Sequence, residues 1–209
     1  KAEALRFGLA DRVTWQLGDG VAAATDGEYD LVYWNQTLHM QPDVDFAMAR
    51  SIECLRPGGV LAVDSYVGPS RFQYDDTTLE AAARFRETLP GRLLRAADGG
   101  TLPVTPLRVP LEKMVAQSPH LAPDSGRILD VVRSRLPGAA IRHTGGCIYQ
   151  LGLSGVLANI DLERDAWVLS EVLLLDRVLC DLGHSLFAVM IGRKAAPVRP
   201  DVGFVDAVP

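Results

Sequence analysis

Three apolar stretches of this sequence, residues 13–17, 29–34 and 60–63, are each followed closely by polar side chains. Carboxylates and amides can bind a polar ligand, and an imidazole can exchange a proton near neutral pH. Residues of these types at three strand ends predict a binding site for a small molecule. The candidates are Asp19, Gly20, Asn35, Gln36, His39 and Asp64.

The elements that must position these residues follow from the periodicity of the chain. The three stretches have strand character, and residues 42–55 between the second and third carry apolar side chains at helical spacing. Pro57 cannot continue that helix, and the two glycines after it allow a turn. Strand, helix and strand with short connections predict a parallel α/β sheet that binds ligands beyond the carboxyl ends of its strands. We therefore expect residue 19, residues 35–39 and residues 64–66 to converge on one rim.

The regular alternation of predicted strands and helices is absent from residues 68–137. Helices are predicted over residues 78–89 and 125–136, whereas residues 101–110 contain three prolines and should be extended. We interpret residues 68–137 as a mostly helical insert that folds over the rim and covers the substrate.

Strand character returns in the last part of the chain. Strands are predicted over residues 140–151 and 185–191, on either side of a helix over residues 162–182. Residues 1–194 then form one domain, and residues 195–209 form a loose tail.

Composition limits the partners of this domain. The formal net charge is −5 and no run of Lys and Arg occurs, which argues against a nucleic-acid partner because phosphate neutralisation dominates such binding. The longest charge-free apolar stretch, residues 145–160, is too short to span a bilayer, so we expect no membrane partner. A small-molecule substrate is predicted, and a homodimer is compatible with the sequence.

The three cysteines are scattered along the chain. Cys54, Cys147 and Cys180 lie in apolar runs without a CxxC pair or a histidine at metal-ligand spacing. They are predicted to be core residues, with no metal site, in a protein of the reducing cytoplasm.

The segments GLADRVTWQLGD, YDLVYWNQTLHM and LRPGGVLAVDSY, in this order, resemble the middle and later motifs of class I S-adenosylmethionine-dependent methyltransferases. The resemblance extends to about Lys194 and implies a Rossmann-like sheet, S-adenosylmethionine as cofactor and methyl transfer as activity. It implies that Asp19 contacts the adenine amino group and that residues 35–39 run beside the methionine part of the cofactor. The cofactor-binding residues implied are Asp19, Gly20, Asn35 and Gln36.

The later segment YVGPSRFQYDD looks like a bacterial subgroup of these enzymes. That subgroup has an acidic residue just before Tyr-Val-Gly-Pro, where this chain has Ser65, so a catalytic role is not carried over to this position. It has a tryptophan where Tyr74 stands, and we interpret Tyr74 as a ring that stacks on the substrate. The substrate-binding candidates are Tyr66, Arg71 and Tyr74.

Methyltransferases of this class begin with a strand, a GxGxG loop and a second strand that ends in an acidic residue. No GxGxG occurs in this sequence. We therefore expect an N-terminally truncated chain whose sheet lacks its first two strands. Residues 13–17 would then have no parallel neighbour, and this fragment would bind the cofactor poorly and be inactive.

Methyl transfer mainly requires that the nucleophile be aligned with the methyl carbon, together with removal of a proton from some oxygen or nitrogen nucleophiles. His39 is the first candidate for the general base and Asp64 the second. The acceptor is expected to be a small molecule or a glycan. Two alternatives remain open: a degenerate, non-catalytic methyltransferase-like binding domain, and a nicotinamide-dependent oxidoreductase, against which the absence of a second glycine loop argues.

Overall fold

A computed structural model describes residues 2–196, and its centre is a mixed sheet of four strands. The strands lie in the order β1-β2-β4-β3, with β1 parallel to β2 and β4 antiparallel to both of its neighbours. The predicted α/β class is confirmed for these residues, but the sheet is mixed, because only the β1–β2 pair is parallel. The strands are β1 (Tyr29–Asn35), β2 (Leu55–Tyr66), β3 (Ala140–Gly145) and β4 (Phe187–Arg193).

Seven α-helices accompany the sheet in the described part of the chain, together with several single turns of 3₁₀-helix and one π-helical turn, Ile148–Gly152. The helices are α1 (Ala2–Arg6), α2 (Gly20–Ala23), α3 (Val44–Cys54), α4 (Asp76–Glu87), α5 (Leu111–Gln117), α6 (Ile128–Arg135) and α7 (Ala166–Asp181).

The strand–helix–strand unit that carries the candidate residues consists of β1, α3 and β2. The Asp43 carboxylate accepts a hydrogen bond from the backbone N–H of Phe46 at 3.0 Å and so caps α3. Strand β2 begins directly after α3 and includes Pro57, earlier than the predicted start at residue 60. Because Gly58 has φ +79°, the chain turns there without side-chain strain.

Residues 13–17 form no strand, so this prediction was wrong. The segment is extended at Val13 but makes no ladder with β1, and Trp15 and Leu17 are 58% and 103% exposed. Alternating apolar side chains produce a strand only where a neighbouring strand accepts their backbone hydrogen bonds. In the described residues, the outer edge of β1 therefore remains unpaired.

The two largest of three apolar clusters in the described residues contain most of the buried apolar side chains. Helices α3 and α6 cover one face of the sheet, and their side chains form the main core with those of β2 and β4. A second cluster joins α4, the π-helical turn and α7 around Phe85, Ile148 and Val172. Residues 68–137 therefore contribute to both clusters, rather than only to a cover over the rim.

The predicted strand over residues 140–151 ends at Gly145. Gly145 and Gly146 have φ of +85° and +96°, and a Cβ on Gly146 would overlap the ring of Phe187. These two glycines turn the chain away from the sheet and into the π-helical turn.

None of the helices within residues 2–196 combines the length and the apolar character that crossing a membrane requires. Of the predicted tail, residues 195–209, all but residues 195 and 196 lie outside the described residues.

Candidate functional site

The carboxyl ends of β1 and β2 meet at one rim of the sheet. Asn35 and Asp64 are register partners across these two parallel strands. Because register partners point to the same face, both side chains leave the sheet on the same side. This part of the predicted convergence is confirmed.

Gln36 holds the Asp64 carboxylate in place. The Gln36 side chain donates from Nε2 to Oδ1 of Asp64 at 2.9 Å, and its backbone N–H donates to the Asp64 carbonyl at 2.7 Å. The backbone of Gln36 has φ +52°, which is unfavourable for a residue with a Cβ. Such strain persists where the surroundings enforce it, and it is concentrated at ligand sites.

Asp64 and Gln36 line an open groove of about 1340 Å³. The groove continues along β3 and β4 to α7, and it contains both apolar and charged side chains. Its size exceeds the range of about 300–1,000 Å³ usual for sites of small molecules. Besides Gln36 and Asp64, the lining includes Ile141, Arg142, His143, Tyr149, Val172, Asp176, Arg177, Phe187 and Val189.

His39 lies at the same end of the sheet but does not line this groove. Its backbone N–H donates to Oγ of Ser65 at 3.3 Å, and its Nδ1 lies 3.2 Å from the same oxygen. Since successive side chains of a strand alternate, Ser65 and Asp64 point to opposite faces of β2. The two candidate bases are therefore separated. Burial lowers the pKa of His39, so this imidazole is neutral at physiological pH.

Asp19 and Gly20 do not join the rim cluster. Asp19 accepts a hydrogen bond from the backbone N–H of Val21 at 2.9 Å and caps α2. With Gly20 it lines a separate cavity of about 130 Å³ beside Tyr29, the first residue of β1, whereas Asn35 is the last. Six residues of strand, about 20 Å, separate these two ends. The expected convergence of all three segments was therefore wrong, because residues 13–17 make no ladder that would deliver Asp19 to the rim.

The two tyrosines proposed for the substrate are buried in an aromatic cluster. Tyr66 is 1% exposed and Tyr74 is 6% exposed. The Tyr66 ring lies edge-on to Phe72 and Phe187, and its hydroxyl donates to the carbonyl of Pro69 at 3.0 Å. Burial raises the pKa of Tyr74 to about 12 and that of Tyr66 further. Tyr66 and Tyr74 therefore have the surroundings of core residues, and their role in substrate binding stays a prediction.

Arg71 ties two loops of the insert together. Its backbone has φ +58° and its N–H donates to the carbonyl of Ala122 at 2.6 Å. Its guanidinium donates to the backbone carbonyls of Pro119 at 2.5 Å and Leu121 at 3.3 Å. These bonds engage Arg71 within the protein, and its contact with a substrate likewise stays a prediction.

Sequence reasoning missed three residues of this region. Ser65 gives no signal as a lone serine in an apolar strand, yet it contacts the imidazole of His39. Asp176 is 6% exposed, lines the groove and accepts hydrogen bonds from the backbone of Ile148 and Tyr149. Its signal was a carboxylate that, with the neighbouring Arg177, interrupts the apolar residues 172–180 of α7. His143 also lines the groove. Within residues 2–196, no group of three or more His, Cys, Asp or Glu could hold a metal ion.

No family model matches this sequence. Among solved structures, the chain is similar to phosphoethanolamine N-methyltransferase 2 from Haemonchus contortus, in complex with phosphomonomethylethanolamine and S-adenosylhomocysteine. The two share 12% identity at a TM-score of 0.50, over 92% of this chain and 40% of that one. The [4+2]-cyclase SpnF matches at 15% identity and a TM-score of 0.45, over 93% of this chain and 61% of that one. This chain thus spans less than two thirds of either protein.

The similarity to the N-methyltransferase shows a methyltransferase-like fold. The four-stranded mixed sheet and its helices are those of an α/β protein structurally similar to S-adenosylmethionine-dependent methyltransferases. The identity is low, and one fold can host several activities, so the activity is a separate question.

Proposed function

We propose that this chain contributes to methyl transfer from S-adenosylmethionine to a small-molecule or glycan-type acceptor. The observation that carries the proposal is the Gln36–Asp64 pair, fixed at the carboxyl ends of two parallel strands and opening into the large groove. In open α/β sheets this edge is where ligands bind. The cofactor supplies an electrophilic methyl group on a sulfonium, a good leaving group.

The chemistry of the rim side chains fits part of such a cofactor. The amides of Asn35 and Gln36 can hydrogen-bond its amino-acid portion, and the Asp64 carboxylate favours a nearby positive charge. Asp19 and Gly20, proposed for the adenine, lie beside another cavity. The described residues therefore offer only part of the contacts that the cofactor needs.

We infer that further strands complete the site along the free edge of β1. Leu31 and Tyr33 of this strand are 55% and 56% exposed, and Ile191 on the same face of the sheet is 49% exposed. An edge strand with this much apolar exposure is a template for pairing with another strand. On this proposal the 209-residue chain by itself binds the cofactor weakly and transfers no methyl group.

The residues of the chain would act by positioning and by excluding water. The clamp from Gln36 fixes the Asp64 carboxylate, which would orient a polar group of the ligand. The apolar side chains Val172 and Phe187 in the groove wall would exclude water from the bound ligand. Oxygen, nitrogen and carbon acceptors are all compatible with this arrangement.

Calorimetric titration with S-adenosylmethionine tests the proposal. We expect the 209-residue chain to show no binding in the micromolar range, and the full product of its gene to bind. In the full product, Asp64→Asn and Gln36→Ala should each weaken binding by about tenfold, the loss of roughly one charge-assisted hydrogen bond. Asp98→Asn, an exposed loop carboxylate, is the matched control and should leave affinity unchanged. Full affinity in both rim variants would contradict the proposed site.

A non-catalytic binding domain is the second candidate. The separation of His39 from the groove favours it, because the first candidate base then cannot reach a ligand beside Asp64. Tight cofactor binding by the full product without methyl transfer to any acceptor of a small-molecule panel would favour this alternative.

A further inference from the structure

Ser65 and His39 form a pair that the proposed function does not use. The Ser65 side chain is fully buried, with 0% exposure. Within the described residues, His39 supplies both recorded partners of its Oγ, the backbone N–H at 3.3 Å and the ring Nδ1 at 3.2 Å.

The hydroxyl proton of Ser65 decides how this pair is arranged. A backbone N–H can only donate, so Oγ accepts from it. If Oγ also accepted from a protonated Nδ1, the buried hydroxyl proton would have no recorded acceptor, at the cost of an unmade hydrogen bond. If the hydroxyl donates to an unprotonated Nδ1, both groups are satisfied. The second arrangement is therefore favoured.

We propose that Ser65 is a positioning residue that fixes neutral His39 as the tautomer with its proton on Nε2. In this tautomer the lone pair of Nδ1 is occupied by the Ser65 hydroxyl, and the outer nitrogen is an N–H donor. With both ring nitrogens occupied in this way, neutral His39 has no free lone pair to take up a proton, so this arrangement excludes the general-base role predicted from the sequence.

The surroundings of His39 contain few groups that could override this arrangement. The ring of Tyr66 lies edge-on at 5.8 Å between centroids, and burial keeps its hydroxyl protonated. The charged groups on the packed elements have partners of their own. These pairs are Asp64 with Gln36, Asp45 with Arg135, Arg50 with Asp26 and Glu53, and Asp124 with Arg127.

The test is ¹H–¹⁵N correlation NMR of the imidazole nitrogens in the ¹⁵N-labelled chain, with pH titration. The His39 signals are assigned by their loss in His39→Gln, since the chain has four histidines. In the wild type we expect a hydrogen-bonded, unprotonated Nδ1 and a protonated Nε2. A protonated Nδ1 would overturn the proposal.

The sign of a pKa change gives a second test. Because the hydroxyl donor stabilises the neutral ring, Ser65→Ala should raise the pKa of His39, by up to about one unit. If Oγ instead accepted from Nδ1–H, it would stabilise the charged ring, and the same variant would lower the pKa. A lowered or unchanged pKa therefore overturns the proposal.

Ser51→Ala is the matched control, because Ser51 is also buried and accepts a hydrogen bond from Trp34 at 2.8 Å. It should leave the His39 spectrum unchanged. Ser65→Thr keeps the hydroxyl and should retain the wild-type tautomer. These readouts do not depend on methyl transfer, so a failure of the proposed function would leave them interpretable.

Discussion

Gln36 donates from Nε2 to Oδ1 of Asp64 at 2.9 Å while its own backbone stays in the left-handed region, with φ +52°. Gln36 thus provides the hydrogen bond to Asp64 and also has the strained backbone conformation. A glycine at this position would relieve the strain and lose the contact, whereas an alanine would lose the contact and keep the strain.

These two substitutions separate the effect of the hydrogen bond from the effect of the backbone strain. We expect Gln36→Ala to destabilise the fold by about 0.5–1 kcal/mol and Gln36→Gly to be within about 0.5 kcal/mol of the wild type, because relief of the positive φ offsets the lost exposed hydrogen bond. Urea unfolding followed by circular dichroism measures both. Equal destabilisation by the two variants would show that Gln36 is not strained.

Arg86 joins α4 to the second apolar cluster. Its side chain is 3% exposed, and its guanidinium donates to the backbone carbonyls of Leu151 and Gly152 at 2.8 and 2.9 Å, and to those of Pro103 and Ser154. Arg86→Met should destabilise by about 2–4 kcal/mol, because several buried carbonyls lose their donor. Arg84→Met on the same helix removes only an exposed pair with Glu80 and should leave the free energy of unfolding nearly unchanged. Similar unfolding free energies for the two variants would contradict this account.

Asp165 makes the stability of the second cluster dependent on pH. Arg92 donates to both carboxylate oxygens of Asp165, at 2.8 and 2.5 Å, and holds the pKa of this carboxyl well below its usual value. A carboxylate whose pKa is lower in the folded than in the unfolded state stabilises the fold at pH values above the unfolded-state pKa. This stabilisation decreases as the pH falls below the unfolded-state pKa and is lost as the pH falls through the folded-state pKa. The difference in urea midpoint between wild type and Asp165→Asn should therefore shrink progressively as the pH falls below about 5. Asp161→Asn serves as the control carboxylate on the same loop. A difference that stays constant over this range would contradict the assignment.

The free edge of β1 predicts self-association. Leu31 is 55% exposed on the uncovered face of this edge strand. Leu31→Lys should lower concentration-dependent association in analytical ultracentrifugation, because a charge on an edge strand opposes strand pairing. Leu107→Lys, at an even more exposed apolar residue outside the sheet, should not change association. If association is equal in both variants, it does not proceed through this edge.

The sequence allowed correct prediction of the elements whose apolar pattern is matched by a partner. Strand β1, helix α3 and strand β2 pack against one another, and their order placed Asn35 beside Asp64. Residues 13–17 have an equally clear alternating pattern but lack a neighbouring strand, so the pattern alone misled. The two candidate bases, His39 and Asp64, lie on different faces of β2 because His39 contacts the hydroxyl of Ser65. A single serine gives no periodic signal from which this contact could be predicted.

The groove has a further consequence for how the molecule unfolds. Its lining includes Ile141, which packs against the main core, and Val172, which belongs to the second cluster. A molecule bound there would contact both groups of side chains, and it would stabilise the native state by mass action. Ligands could then be recognised by screening for compounds that raise the midpoint of unfolding.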